Sequence, residues 1–121
     1  MDVTRLLLFV ETRFFSTRWQ KLGLTDADLS QLQWSIMEQP LSGAVMSGAG
    51  GYRKARFAPK GMGKSGAFRV IFVPNLRYRA VMFTLVYGKN EIANVNAAGK
   101  KALAKQAAEF ESILKTSFEG R

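Results

Sequence analysis

The chain has 121 residues, 47% of them hydrophobic and 12% aromatic, a size that suits one domain over residues 1–121 with a single core. Cysteine and histidine are both absent, which excludes disulfides, thiol nucleophiles, zinc centres and an imidazole base, so any chemistry falls to Lys, Arg, Tyr, Ser/Thr or carboxylates. The 18 Lys and Arg against 9 Asp and Glu leave a formal charge of +9, and the whole excess lies between Gln39 and Asn90, where nine basic residues meet no carboxylate, as expected of a surface that meets phosphates or an acidic partner.

Arg5 to Val10 (RLLLFV) is short, apolar and bounded by charges, which predicts a buried strand; periodicity alone fits a helical start equally. Its apolar core, Leu6 to Val10, is far too short to span a bilayer, and no small-residue cleavage site follows it, so a cytoplasmic protein without membrane contact is expected. From Thr12, the residues Phe15, Trp19 and Leu22 share one face of a helix that Gly23 ends. Thr25 with Asp28 has the form of a capping box, and Leu29, Leu32 and Ile36 form the apolar stripe of a second helix, stopped by Pro40. Asp26 and Asp28 look like paired carboxylates, but in a first helical turn they are explained by the macrodipole.

Leu41 to Gly51 is rich in small residues and reads as a winding connection. Tyr52 to Ala58 alternates as a strand, with Tyr52, Lys54 and Arg56 on one face and Arg53, Ala55 and Phe57 on the other. A glycine-rich loop, Pro59 to Gly66, leads to a strand over Phe68 to Val73, whose apolar run Arg69 interrupts; a solvated strand end is the plain account of that charge. Pro74-Asn75 is read as a turn and Arg79 to Tyr87 as a further strand, so the three strands are expected to form an antiparallel meander. After Gly88 a turn through Lys89, Asn90 and Glu91 reaches Asn96, an N-cap for a last helix. Leu103, Ala107, Phe110 and Leu114 face inward on that helix, and Lys100, Lys101 and Lys105 face solvent. The sum is an α+β domain: a mostly antiparallel sheet, two N-terminal helices and one C-terminal helix.

Ala58 to Ser65 (APKGMGKS) matches a relaxed P-loop pattern, but its context refutes that reading. A P-loop follows a buried strand and opens a helix, whereas this one follows a charged strand and leads into FRVIFV, with no acid nearby to hold magnesium. What remains is a cationic loop between strands that add Lys54, Arg56 and Arg69. Attack of an RNA 2′-hydroxyl on the adjacent phosphorus builds negative charge on phosphoryl oxygens, and fixed Arg and Lys groups stabilise it without a metal or other cofactor. A simple phosphate-binding patch has the same appearance in sequence.

The segments GGYRKARFAPKGMGKSGAFRVIF and VYGKNEIANVNAAGKKAL resemble the RelE/HigB superfamily of toxins from type II toxin–antitoxin pairs. The closest likeness is to its HigB-like branch, with the signatures GG-x-RK-x-R, GKSG-x-x-R and YGKNE spread over roughly Gly50 to Leu103. The resemblance implies a RelE-like fold and a ribosome-dependent mRNA endoribonuclease, or mRNA interferase. It also implies silencing by a cognate antitoxin, expected to carry a helix-turn-helix DNA-binding domain. A surface of +9 suits an acidic partner as well as RNA.

The resemblance implies, by motif, that Lys54, Arg56 and Arg69 are catalytic cations and that Lys64 and Asn90 bind RNA; Arg53 and Lys60, from the same cationic stretch, are added to the RNA-binding set on their charge. Tyr87 and Lys89 are candidates for proton transfer, since a Lys desolvated among other cations loses its proton readily. The RelE pattern places an arginine after the glycine-lysine pair and a tyrosine near the start of the last helix; here those positions hold Asn90 and Asn96, which leaves the general acid and base open. Two other functions fit the same residues: a gyrase inhibitor on the same fold, like the related ParE toxins, and a non-enzymatic RNA-binding module.

Overall fold

A computed structural model describes residues 6–62, 67–91 and 95–120. The order of elements is β1 (Leu8–Glu11), α1 (Arg13–Lys21), α2 (Asp26–Glu38), β2 (Ala44–Val45), β3 (Arg53–Phe57), β4 (Phe68–Asn75), β5 (Ala80–Tyr87) and α3 (Ala97–Glu119). The strands form one sheet in the order β1-β5-β4-β3-β2, antiparallel except for the parallel pair of β1 with β5. This is the expected α+β architecture.

The helices begin where their sequence signals place them. The Thr12 hydroxyl accepts the Phe15 amide at 3.1 Å and opens α1. Thr25 and Asp28 form the reciprocal capping box of α2, with bonds of 2.8 and 3.1 Å that satisfy two amides otherwise without partners. The Asn96 side chain accepts the Gly99 amide at 2.9 Å at the start of α3.

The sheet is covered on both faces. Phe15 and Trp19 of α1 and Leu32 and Ile36 of α2 pack on Phe57, Val70, Phe72 and Phe83. Aromatic rings run continuously through this layer: Phe9 stacks on Phe83, Phe83 on Phe15, Phe15 on Trp19 and Trp19 on Phe57. The indole N–H of Trp19 donates to the Thr25 carbonyl at 3.0 Å, so the ring is buried with its donor satisfied. On the opposite face Phe110 and Leu114 of α3, flanked by Leu103 and Ala107, cover Tyr52, Ile71, Val73 and Met82.

Three expectations change. β1 spans Leu8–Glu11 rather than Arg5 to Val10, and it is an edge strand with Leu8 47% exposed, not a buried one; Arg5 lies outside the described residues. An apolar run does not reveal which of its flanks another strand will cover. Within the 41–51 connection, Ala44 and Val45 pair with Lys54 and Arg53 as β2, a strand too short to show a period. Pro74 and Asn75 are not the turn but the end of β4, opposite Val81 and Ala80. Proline is tolerated there because pairing with β3 stops at Phe72, leaving that flank without a ladder to break. The turn is 76–79, closed by Arg79 at φ 53°, which is why β5 starts at Ala80.

One irregularity sets the sheet's register. Opposite β4 the partner jumps from Leu85 at Ile71 to Phe83 at Phe72, leaving Thr84 as an extra residue in β5. Its hydroxyl lies 2.6 Å from the buried Tyr52 hydroxyl, and its carbonyl accepts the Thr12 hydroxyl at 2.9 Å. The bulge is therefore tied to both flanking layers.

Candidate functional site

Strand alternation and register bring the cations together. Ala55 and Phe57 pack under α1 and α2, so Lys54 and Arg56 project from the face that α3 covers. Arg56 lies opposite Arg69, and Arg69 lies opposite Tyr87, so these three form one row across β3, β4 and β5. Lys54 sits two residues further along β3, opposite Ile71. Arg69 is half-buried, and its guanidinium donates to the Ala67 carbonyl at 2.9 Å. Tyr87 is only 7% exposed.

The arrangement is electrostatically uncompensated. The ion pairs among the described residues are Arg18–Glu91 and Arg77–Glu119, and neither involves Lys54, Arg56 or Arg69. Like charges directly opposite on neighbouring strands repel. A row of this kind has an unfilled requirement for an anion, and a phosphate offers several acceptor oxygens to meet it.

The other expected residues are distributed around this row. Arg53 is on the opposite face, where its guanidinium donates to the Leu41 and Gly43 carbonyls at 2.7 and 3.3 Å; it ties the approach to β2 and does not join the cluster. Lys60 is exposed in the loop after β3, and its backbone amide donates to Gln31 Oε1 at 3.0 Å. Lys64 lies outside the described residues. Lys89 and Asn90 are exposed in the turn after β5, so the desolvation expected of Lys89 is not met. The P-loop-like segment connects β3 to β4, so the next element after it among the described residues is a strand and not a helix.

Residues not counted among the catalytic or RNA-binding candidates hold the surroundings in place. Gln31 of α2 also donates to the Ala58 carbonyl at 3.1 Å, so a single side chain clasps both ends of the 58–60 segment. Glu91 accepts the Gly88 amide at 2.7 Å and pairs with Arg18 of α1. The Gly88 amide first, and then Arg18, hold its carboxyl below the ordinary 4.5. Lys100, expected on a solvated face, instead lines a cavity together with Lys54. A readable signal for it existed, because lysine early in a helix opposes the macrodipole; nothing in the local pattern marks Gln31 or Arg18.

The sequence pattern described as the RelE toxin of the RelE/RelB toxin–antitoxin system matches residues 8–119. The chain belongs to the RelE toxin family, and its sheet with three helices agrees with that fold. It is accordingly the toxin of a toxin–antitoxin pair, with a cognate antitoxin as partner. Among the described residues no helix is long and apolar enough to cross a membrane.

Proposed function

We propose that this toxin, of the HigB-like branch, cleaves mRNA on the ribosome without a metal. The observation that carries this reading is the Arg56–Arg69–Tyr87 row with Lys54 beside it, cations without counterions next to a proton-bearing phenol on one sheet face. The 2′-hydroxyl of one nucleotide attacks its own 3′-phosphorus and passes its proton to water, from which the Tyr87 phenolate is reprotonated after the cut. A 2′,3′-cyclic phosphate forms as the bond to the 5′-oxygen of the next nucleotide breaks. Lys54, Arg56 and Arg69 hold the phosphoryl oxygens and favour the transition state, in which their negative charge is greatest. Tyr87 delivers a proton to the departing 5′-oxygen. Lys64, Lys60, Lys89 and Asn90 guide the strand from the two loops.

Primer extension on cellular mRNA after induction tests this reading. Wild-type protein should create new 5′ ends that depend on translation, and Arg69→Ala, shown to be folded by its unfolding transition, should create none. Intact mRNA with DNA damage would identify a gyrase inhibitor instead. Neither growth arrest nor cleavage would leave RNA binding alone.

A further inference from the structure

Between the exit of β2 and the first turns of α3 lies a cavity of about 310 Å³ lined by Val45, Met46, Val95, Lys54 and Lys100. Lys54 enters it from β3 and Lys100 from α3, and both are half-buried. Among the described residues neither ammonium has an ion-pair or hydrogen-bond partner.

The charges oppose the needs of folding. The first turn of α3 carries no acidic residue, and Lys100 and Lys101 follow it. The N-terminal end of a helix favours anions, so cations there raise the energy of the empty protein, and Lys54 adds another across the cavity. An anion seated between Lys54 and Lys100 reverses each of these terms. The apolar wall of Met46, Val95 and Ala44, which pairs with Lys54, is meanwhile suited to the face of a base rather than to an inorganic ion.

We propose that this cavity is a second subsite contiguous with the Arg56–Arg69 row, holding one nucleotide of single-stranded RNA beside the scissile phosphate. The base lies against Ala44, Met46 and Val95, and its phosphate lies between Lys54 and Lys100. The choice of RNA as ligand rests on the cleavage reading above. Lys54 belongs to both subsites, which places them one nucleotide apart. At about 310 Å³ the cavity is at the small end of ligand sites, roughly 300–1,000 Å³, and suits one nucleotide rather than several.

The test is binding of a short single-stranded RNA, 2′-O-methylated so that it cannot be cut, to the full chain over a range of salt. Lys100→Ala should bind several-fold more weakly, with a log–log salt slope shallower by about 0.7. Lys101→Ala, which removes an exposed charge outside the cavity, should change little. Lys100→Arg should restore the slope. Lys100→Ala should also melt no lower than wild type, a combination that a purely structural residue does not produce. Equal effects of Lys100→Ala and Lys101→Ala, or no RNA binding by wild type, would overturn the subsite. If wild type cuts no mRNA but Lys100→Ala alone loses binding, the nuclease reading falls and the subsite stands.

Discussion

Arg18 in α1 is paired with Glu91 in the turn after β5, two residues distant in sequence that anchor the segment carrying Lys89 and Asn90 to the helical layer. The second Glu91 oxygen accepts the Gly88 amide at 2.7 Å, and the Glu91 amide returns a bond to the Gly88 carbonyl at 3.0 Å. The acid of the YGKNE element thus holds the turn together, while its lysine and asparagine remain free to meet a ligand.

This clasp has a pH signature. The carboxyl of Glu91 is held below its ordinary 4.5, so its contribution to stability is complete above that value and is lost as pH falls through the lowered one. The Glu91 side chain is 43% exposed, so the effect is modest and screened by salt. Thermal unfolding of wild type and Glu91→Gln should differ at about pH 6 and converge towards about pH 3.

Tyr52 has the opposite sign. Burial raises its phenol above 10.0, and the bond to Thr84 offsets this in part. The neutral phenol is favoured by folding, so its contribution is present below about pH 10 and is lost as pH rises through the raised value. Tyr52→Phe should lower stability near neutral pH by about 0.5–1.5 kcal/mol in denaturant titrations and make the alkaline loss shallower. A double-mutant cycle with Thr84→Val should show that the two changes are not additive.

Trp19 bridges two rings of the aromatic layer, stacked on both Phe15 and Phe57. Trp19→Ala should cost about 3–5 kcal/mol in urea unfolding. Trp19→Phe should cost less, because it leaves most of the stacking and loses the bond to the Thr25 carbonyl.

Gln31 offers a local test. Gln31→Ala should speed hydrogen exchange at the Lys60 amide, whose acceptor it removes, while changing global stability by about 1 kcal/mol or less.

The cation row predicts a conflict between stability and activity. Arg56→Gln removes one of two like charges facing each other across β3 and β4, so it should raise the unfolding temperature slightly while abolishing toxicity. A lower unfolding temperature together with full toxicity would remove Arg56 from the site.

Alternation alone placed Lys54 and Arg56 on one face, because a half-buried strand has a period of two and Ala55 and Phe57 mark its buried side. The capping box, the Asn96 cap and the α3 stripe were equally local and equally legible. What was not legible was whatever depends on partners distant in sequence. Tyr87 faces Arg69 only because Thr84 is an extra residue in β5, and no residue in AVMFTLVY announces a bulge. Arg53 looked like one more cation of the cluster until the Leu41 and Gly43 carbonyls claimed it. Lys100 carried a local signal in its place at the start of a helix, but that it meets Lys54 of β3 across a cavity is a tertiary fact.

The place of β1 bears on how the chain acquires its shape during synthesis. Among the described residues β1 pairs only with β5, with Leu8 opposite Ala80, so it stays unpaired until β5 has been made. The β3–β4–β5 meander joins neighbours in sequence and closes small loops, whereas docking β1 closes a long one and carries the larger entropic cost. Docking of β1 onto the sheet is therefore expected to be the late step of folding, and until then the apolar Leu6 to Val10 segment is open to any partner that meets the nascent chain.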